Sequence, residues 1–170
     1  EQTMNSTEVG YKYASGPLTV YATAFRTKYD TFTFNDARFN PVTGNFDQAR
    51  IVTDTETYGL ELEGVVAPLE WLDVRFSATV QNPEYGKLLQ TQLVGTTPVD
   101  FDFTGNQLVR IPELSYRVTP GVTLLNDAMR VELDYQYFGK RYSDLANIFE
   151  LPSYDVLNAN VRWSVMENVT

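Results

Sequence analysis

Residues Thr57 to Gln81 alternate polar and apolar side chains almost without interruption. Charged residues occupy one parity of this stretch and large apolar residues occupy the other, with a short turn around Pro68 between the two halves. Side chains that alternate with a period of two lie on opposite faces of a β-strand, so the pattern predicts two antiparallel strands with one apolar and one charged face. The fold then depends on what covers the apolar face, a second protein layer or lipid.

The composition excludes several classes of protein. The chain has no cysteine and no histidine, which removes disulfides, thiolate metal sites, the commonest general base and the commonest metal ligand. We therefore expect neither an enzyme nor a bound cofactor. The net charge is -9 and the 13 Lys and Arg residues are scattered singly, so we expect no nucleic-acid partner. We also expect one domain, without a transmembrane helix or a signal peptide within these residues.

The chain is rich in Thr, Val and aromatic residues, with 11 Tyr and 10 Phe, which favours an all-β fold. Alternation and turn residues predict an antiparallel up-and-down meander of about seven strands. The predicted strands span residues 7–14, 18–29, 52–67, 71–81, 109–119, 128–138 and 154–165.

The second predicted strand leaves its facing open, because Arg26 and Lys28 share parity with Leu18. One alternative is a β-bulge that switches parity within the strand. The interpretation we favour is an apolar face made of the aromatic residues of the other parity: Tyr21, Phe25 and Tyr29.

The connections between the predicted strands alternate in length. The short, turn-like connections are Ser15–Pro17, Ala67–Glu70 and Pro120–Asn126. The long ones run for about 15 to 27 residues, at Asp30–Ile51, Asn82–Leu108 and Gly139–Ser153. Because alternate connections of an antiparallel meander lie at opposite ends, we predict tight turns at one end and long loops at the other, as in outer-membrane barrels.

Two architectures satisfy this pattern, a soluble β-sandwich or barrel and a segment of a transmembrane β-barrel. Three features favour the membrane: long loops at one end, charges of both signs on a single face, and Tyr or Trp near strand ends. A Lys or Arg at the lipid midplane costs about 2 to 4 kcal/mol, so lipid would enforce such segregation. Asp54 and Glu56 share parity with Tyr58 and fit if the strand rises above the bilayer there. The alternative is a soluble binding module, for example for carbohydrate.

Several short motifs resemble one known family. Residues 137–165 contain a G-x-R-Y-x-D-x-x-N run and an L-P-x-Y-x-V-L-N run, residues 58–64 resemble a Y-G-x-E-x-E-G strand, and P-x-x-W-L and G-N-x-L-x-x-x-P runs occur at residues 68–72 and 105–112. Together they are similar to the β-barrel of TonB-dependent outer-membrane receptors. The positions that match in the first segment are Gly139, Arg141, Tyr142, Asp144, Asn147, Leu151, Pro152 and Tyr154.

The resemblance implies a barrel of about 22 strands around an N-terminal plug, of which this chain would supply about a third. We therefore expect residues 1–170 to be a partial barrel domain, with a plug before Glu1 and further strands after Thr170. It implies a bacterial outer-membrane receptor that imports a scarce nutrient such as a ferric siderophore, with lipid, the small-molecule nutrient and, through the plug, TonB as partners. Two bare sheet edges predict that the isolated fragment oligomerises or closes differently.

Two loops hold the candidate ligand-binding residues. In the first long loop, aromatic rings interleave with hydrogen-bonding groups, which suits either a ligand mouth or a loop that packs on itself. Its candidates are Phe34, Asp36, Arg38 and Phe39. In the last long loop, Arg141 and Tyr142 are candidates at the loop base, although local hydrogen bonds that fix the loop are the interpretation we favour for that motif.

Two other clusters carry weaker signals. Asp100, Asp102 and Gly105 imitate the start of a calcium loop, but Ile111 stands where the bidentate glutamate belongs, which favours an ordinary polar loop. Paired carboxylates on the strands around Pro68 have the spacing of a glycosidase site. We favour instead a solvated barrel wall with cross-strand ion pairs, made by Glu61, Glu63, Asp73 and Arg75.

Overall fold

The computed structural model describes residues 2–40, 43–95 and 97–164, without the side chains of residues 36–40, 46, 47, 49 and 93. Within these ranges, no helix is long and apolar enough to cross a membrane. The described residues form eleven strands. They are β1 (Thr3–Ser15), β2 (Leu18–Asn40), β3 (Asn45–Leu69), β4 (Leu72–Tyr85), β5 (Leu89–Val94), β6 (Thr97–Asp102), β7 (Leu114–Leu124), β8 (Met129–Phe138), β9 (Arg141–Tyr142), β10 (Glu150–Leu151) and β11 (Tyr154–Trp163).

Seven of these strands form one antiparallel sheet in the order β1-β2-β3-β4-β7-β8-β11. Each of the seven pairs with the one that precedes or follows it in this list, which is also their order along the chain. The pairs β5-β6 and β9-β10 are separate two-stranded sheets within the connections. The predicted all-β meander is therefore confirmed, and the sheet is open, with β1 and β11 at its edges.

The tight turns lie at one end of the sheet, as predicted. Residues 16–17 join β1 to β2 and residues 70–71 join β3 to β4. The third turn spans residues 125–128 instead of Pro120–Asn126, because β7 runs on to Leu124. Three consecutive residues there, Leu125, Asn126 and Asp127, have positive φ angles of 55°, 52° and 70°, which reverses the chain abruptly. The predicted strand at residues 109–119 is thus shifted toward the C-terminus by about five residues.

The predicted loop at Asp30–Ile51 is wrong, because β2 and β3 continue as a paired hairpin as far as Asn40 and Asn45. A bulge between Tyr29 and Phe32, with Thr31 at a φ of 60°, shifts the register where this extension begins. We call the extension, residues 30–40 and 45–54, the arm. Most of its residues are polar, so its sequence lacks the sustained apolar alternation by which the other strands were recognised.

The favoured facing of the second predicted strand is also wrong. Tyr21 lies opposite Glu63 and Phe25 opposite Gly59, which puts both aromatic residues on the polar face. Neighbouring strands set the facing, since the other parity of β2 lies opposite Val66, Leu62 and Leu60 of β3. Gly59 makes room for the Phe25 ring on the polar face, because a Cβ at position 59 would come within 2.9 Å of that ring. The apolar face of β2 is Leu18, Val20, Ala22 and Ala24.

Arg26 and Lys28 follow Ala24 on the apolar face, and they mark where that face stops being apolar. Arg26 lies opposite Tyr58 and its Nε is 2.7 Å from Oε1 of Glu56. Lys28 lies opposite Glu56. The charges that looked exceptional in the sequence thus lie together at the arm end of the sheet, where the strands rise above an apolar band.

The apolar face of the sheet is open to its surroundings. Leu60 in β3 and Val80 in β4 are 63% and 56% exposed, although both strands have neighbours on each side. A soluble sandwich would bury such residues under a second sheet. Among the described residues, the buried apolar side chains lie instead around the long connections: Ile51, Tyr85, Leu88, Phe103, Leu108 and Leu145.

Candidate functional site

The polar face of the sheet lines an open cavity of about 820 Å³. Its lining extends from Thr19 and Tyr21 in β2 to Asn158 and Asn160 in β11, so the sheet curls with its polar face inward. The predicted segregation of charges is confirmed, because the register places Glu61, Glu63, Arg75, Arg117, Arg130, Glu132 and Arg162 on this one face. The geometry is that of a wall around an aqueous lumen.

An ion-pair network crosses three strands of this wall. Arg130 in β8 contacts Asp73 in β4 at 2.8 Å and Glu132 at 2.9 Å, and Arg75 pairs with Glu132. Arg117 donates to both oxygens of Asp134, at 2.5 and 2.9 Å. The expected cross-strand ion pairs are confirmed for Asp73 and Arg75, and Arg75 also lies 3.9 Å from Asp73 on its own strand. They are not found for Glu61 and Glu63, which lie opposite Thr79 and Ser77.

Gly121 allows Arg130 to reach across β7 to Asp73. A Cβ at this position would collide with the Arg130 guanidinium and come within 3.3 Å of Asp73. We expect Gly121→Ala to displace Arg130 and to break this ion pair. The free energy of unfolding should fall by about 1 kcal/mol or less, because the pair is partly solvated.

The matched control for this change is Gly10→Ala on the same face, where a Cβ would make only an ordinary 3.6 Å contact with Thr23. Both changes restrict the unfolded chain equally. Urea unfolding of the full-length protein in liposomes measures the difference, and equal stability of the two variants would contradict the role assigned to Gly121.

The long connections share a small hydrophobic core, which we call the loop core: Ile51, Tyr85, Leu88, Phe103, Leu108 and Leu145. Ile51 comes from the arm, the next four residues from the end of β4 and the β4-β7 connection, and Leu145 from the β8-β11 connection. Phe34 packs against it, and its ring lies 5.9 Å from Tyr85 and 5.7 Å from Phe32. Three segments distant in sequence are thereby held together above the sheet.

Hydrogen bonds also join the two C-terminal connections. Asn147 accepts from the Gln107 amide at 2.7 Å and donates to the Gln107 carbonyl at 3.1 Å. Asp144 accepts from the amides of Ile148 and Phe149, at 3.2 and 2.7 Å. The favoured interpretation of the motif at residues 139–147, that its polar residues fix the loop through local hydrogen bonds, is thus confirmed for Asp144. The short side-chain bonds of Asn147 reach the other connection instead.

The predicted ligand-binding residues occupy different parts of this end of the sheet. Phe34 lies in the arm, with its ring partly covered by the loop core. The strand β2 includes Asp36, Arg38 and Phe39, but the structure describes only their backbone. A ligand role for any of them stays a prediction.

Arg141 and Tyr142 form β9, at the base of the last connection. The Arg141 guanidinium lies 4.9 Å from the centre of the Tyr154 ring, and Tyr154 stacks on Phe138 at 5.0 Å. Nη1 of Arg141 is buried without a hydrogen-bond partner among the described residues. Tyr142 contributes its carbonyl, which accepts from the Arg110 amide at 2.8 Å.

Asp102 forms a local turn in which its Oδ1 accepts from the Thr104 amide at 2.9 Å. Hydrogen bonds from the Thr104 side chain and backbone lower the pKa of the Asp102 carboxyl. Asp100 accepts from the Thr91 hydroxyl at 2.6 Å. Within the described part of the chain, no group of three or more acidic residues has the arrangement of a metal site.

In the β8-β11 connection, Glu150 raises the pKa of Lys140 through a 3.1 Å ion pair.

Comparison with known families decides between the two architectures. A family model described as TonB dependent receptor-like, beta-barrel, matches residues 1–170, which is the whole chain. The chain belongs to the TonB-dependent receptor family. Members of this family are receptors and transporters, and the match lies within their β-barrel domain. No curated protein sequence matches the chain.

Solved structures of this family have the same fold. The siderophore receptor PiuA from Acinetobacter baumannii superposes with a TM-score of 0.71 at 21% identity, over 97% of this chain and 22% of that one. The ferric yersiniabactin uptake receptor FyuA from Yersinia pestis gives 0.69 at 15% identity, over 98% and 23%. The copper transporter OprC gives 0.68 at 11% identity, over 98% and 24%. The chain thus spans less than a quarter of each of these three proteins.

The sequence did not predict the loop core of this TonB-dependent receptor segment. Its residues are spaced irregularly and lie in what was taken for a polar loop, so neither the strand period nor the helix period detects them. A usable signal was present, since the stretch from Tyr85 to Val109 contains Leu88, Phe101, Phe103 and Leu108. A solvated loop rarely needs so many large apolar residues.

Proposed function

We propose that this chain is part of the barrel of an outer-membrane receptor that takes up a scarce nutrient, such as a ferric siderophore, and that performs no chemistry on it. The observation that carries the proposal is the sheet itself, with an exposed apolar face on central strands and a concave, ion-paired polar face. Such a sheet suits a wall between lipid and an aqueous lumen. The names of the similar receptors, which describe siderophore and copper transport, support the choice of cargo.

In this proposal, each surface of the segment has its own partner. The apolar face contacts outer-membrane lipid, and the ion-paired face lines the space that a plug would fill. TonB would act through that plug, using energy from the inner membrane. The arm and the loop core would form one side of the nutrient mouth, with Phe34, Asp36, Arg38, Phe39, Arg141 and Tyr142 as candidate contacts.

The isolated segment would behave differently from the parent. Its edge strands β1 and β11 leave backbone groups unpaired, so we propose that the segment alone associates through these edges. A soluble binding module is not favoured, because Leu60 and Val80 in the middle of the sheet are exposed.

The first test uses the full-length parent protein. We expect it in the outer-membrane fraction, dependent on detergent for extraction, and migrating differently on a gel before and after heating, as a closed barrel does. A parent that stays monomeric and fully soluble without detergent would refute the proposal.

The second test addresses the cargo. Iron-starved cells that express the parent are supplied with radioactive iron as ferric siderophores of the catecholate and hydroxamate classes. We expect uptake of at least one class, and we expect its loss when TonB is deleted. Uptake that persists without TonB would contradict the mechanism, whereas a TonB-dependent uptake of copper alone would correct only the cargo.

A further inference from the structure

The β4-β7 connection and the β8-β11 connection meet at Asn147. Its Oδ1 accepts a hydrogen bond from the Gln107 amide at 2.7 Å, and its Nδ2 donates to the Gln107 carbonyl at 3.1 Å. One side chain therefore satisfies both backbone groups of a residue forty positions away, as a paired strand would. Asn147 has a φ of 54°, a left-handed conformation that asparagine adopts more readily than most residues.

Other contacts between the two connections lie on both sides of this one. Nδ2 of Asn106 donates to the Leu145 carbonyl at 2.7 Å, and the Arg110 amide donates to the Tyr142 carbonyl at 2.8 Å. Leu145 is buried in the loop core together with Leu108. Polar and apolar contacts thus connect the same two segments.

The segment that receives these contacts is itself well bonded. The amides of Gly105, Asn106 and Leu108 donate to the carbonyls of Tyr85, Phe103 and Pro83, at 2.8 to 3.1 Å. With the Gln107 and Arg110 amides also bonded, residues 105–108 and 110 present no free backbone donor to water. A loop of this kind is expected to exchange its amide hydrogens slowly, because exchange requires opening.

We propose that Asn147 is a positioning residue that locks the two connections into one rigid body, so that they form a preformed wall and move only as a unit. The assignment of this wall to a nutrient mouth rests on the proposed function. The lock itself rests on the contacts alone, and its test needs no nutrient.

Hydrogen exchange in the nutrient-free, full-length receptor tests the lock. The variant Asn147→Gly removes both bonds to Gln107, together with a longer 3.4 Å bond from Nδ2 to the Asp144 carbonyl, and keeps the left-handed backbone without strain. We expect amide exchange to rise by about tenfold in residues 104–111 and in residues 143–149 together, since two hydrogen bonds are lost.

The control variant is Lys140→Ala. Lys140 pairs with Glu150 at 3.1 Å, within its own connection, so its loss should leave exchange in residues 104–111 unchanged. If Asn147→Gly prevents folding, Asn147→Asp decides instead. It keeps the acceptor for the Gln107 amide and loses the donor, so a smaller rise is expected in the same two segments.

A distance measurement gives a second readout. Spin labels on the exposed Leu89 and Ile148 report on the two connections. We expect one narrow distance distribution in the receptor with Asn147 and a broader one in Asn147→Gly.

Exchange that rises only in residues 143–149, or a distance distribution that is already broad with Asn147 present, would overturn the proposal. A failure of the proposed function would look different: TonB-dependent uptake would be absent while the coupled exchange remained.

Discussion

Arginine in place of Leu62 is expected to destabilise the folded full-length protein by about 2 to 4 kcal/mol in a bilayer. Leu62 lies in the middle of the apolar stretch of β3 that runs from Tyr58 to Val66, on the exposed face of the sheet. In the proposed membrane-spanning barrel, a cation there would lie near the lipid midplane, away from water. Unfolding by urea in liposomes measures the loss, with the heat-dependent shift on a gel as the probe of folding.

The matched control for Leu62→Arg is Thr79→Arg. Thr79 lies opposite Glu61 on the polar face, so the new cation gains an acidic neighbour and stays in contact with water. We expect a change of stability within about 0.5 kcal/mol. Equal losses in the two variants would mean that the two faces do not differ in their surroundings, which the lipid assignment requires.

Alanine in place of Leu88 is expected to lower the free energy needed to open the loop core by about 2 to 5 kcal/mol, because it leaves a cavity among packed apolar side chains. Leu88 is 1% exposed and belongs to a core that is built from three segments distant in sequence. The strands of the barrel wall lie outside this core, so we expect the loss to appear as local opening. Limited proteolysis within residues 86–113 and 139–153 should accelerate while the heat-dependent gel shift is kept.

The neighbouring Leu89 supplies the control for Leu88→Ala. It is 57% exposed, so Leu89→Ala removes the same atoms from a solvated position and should leave proteolysis unchanged. If both variants open the connections alike, or if Leu88→Ala unfolds the barrel wall with them, the loop core is not the separate unit that the packing indicates.

The sequence predicted the sheet well because each parity of its strands has a uniform character, apolar on one face and polar on the other. From Tyr58 to Val66 no charge breaks the apolar parity, and the register follows from the pairing of such strands. The facing of β2 was predicted wrongly, because Phe25 lies on the polar face, where Gly59 of the neighbouring strand makes room for its ring. That compensation is not visible in β2 alone.

The candidate site was harder to predict for a related reason. The arm is held by cross-strand hydrogen bonds that any polar sequence can make, so its alternation carries little signal. The loop core joins Ile51 to Leu145 across about ninety residues, a contact that no local pattern encodes. The motif that contains Asp144 and Asn147 was recognised as structural, but its partner Gln107 was not.

Fluorescence quenching at four consecutive positions of β3 tests the central claim most directly. Residues 1–170 contain no cysteine, and any cysteine elsewhere in the full-length protein is replaced by serine. Single cysteines at Leu60, Glu61, Leu62 and Glu63 then each carry a fluorophore in liposomes that contain a lipid-phase quencher. We predict strong quenching at positions 60 and 62 and weak quenching at 61 and 63, a period of two set by the two faces of the strand. Uniform quenching, or protection of positions 60 and 62 in a monomer free of detergent and lipid, would contradict the account.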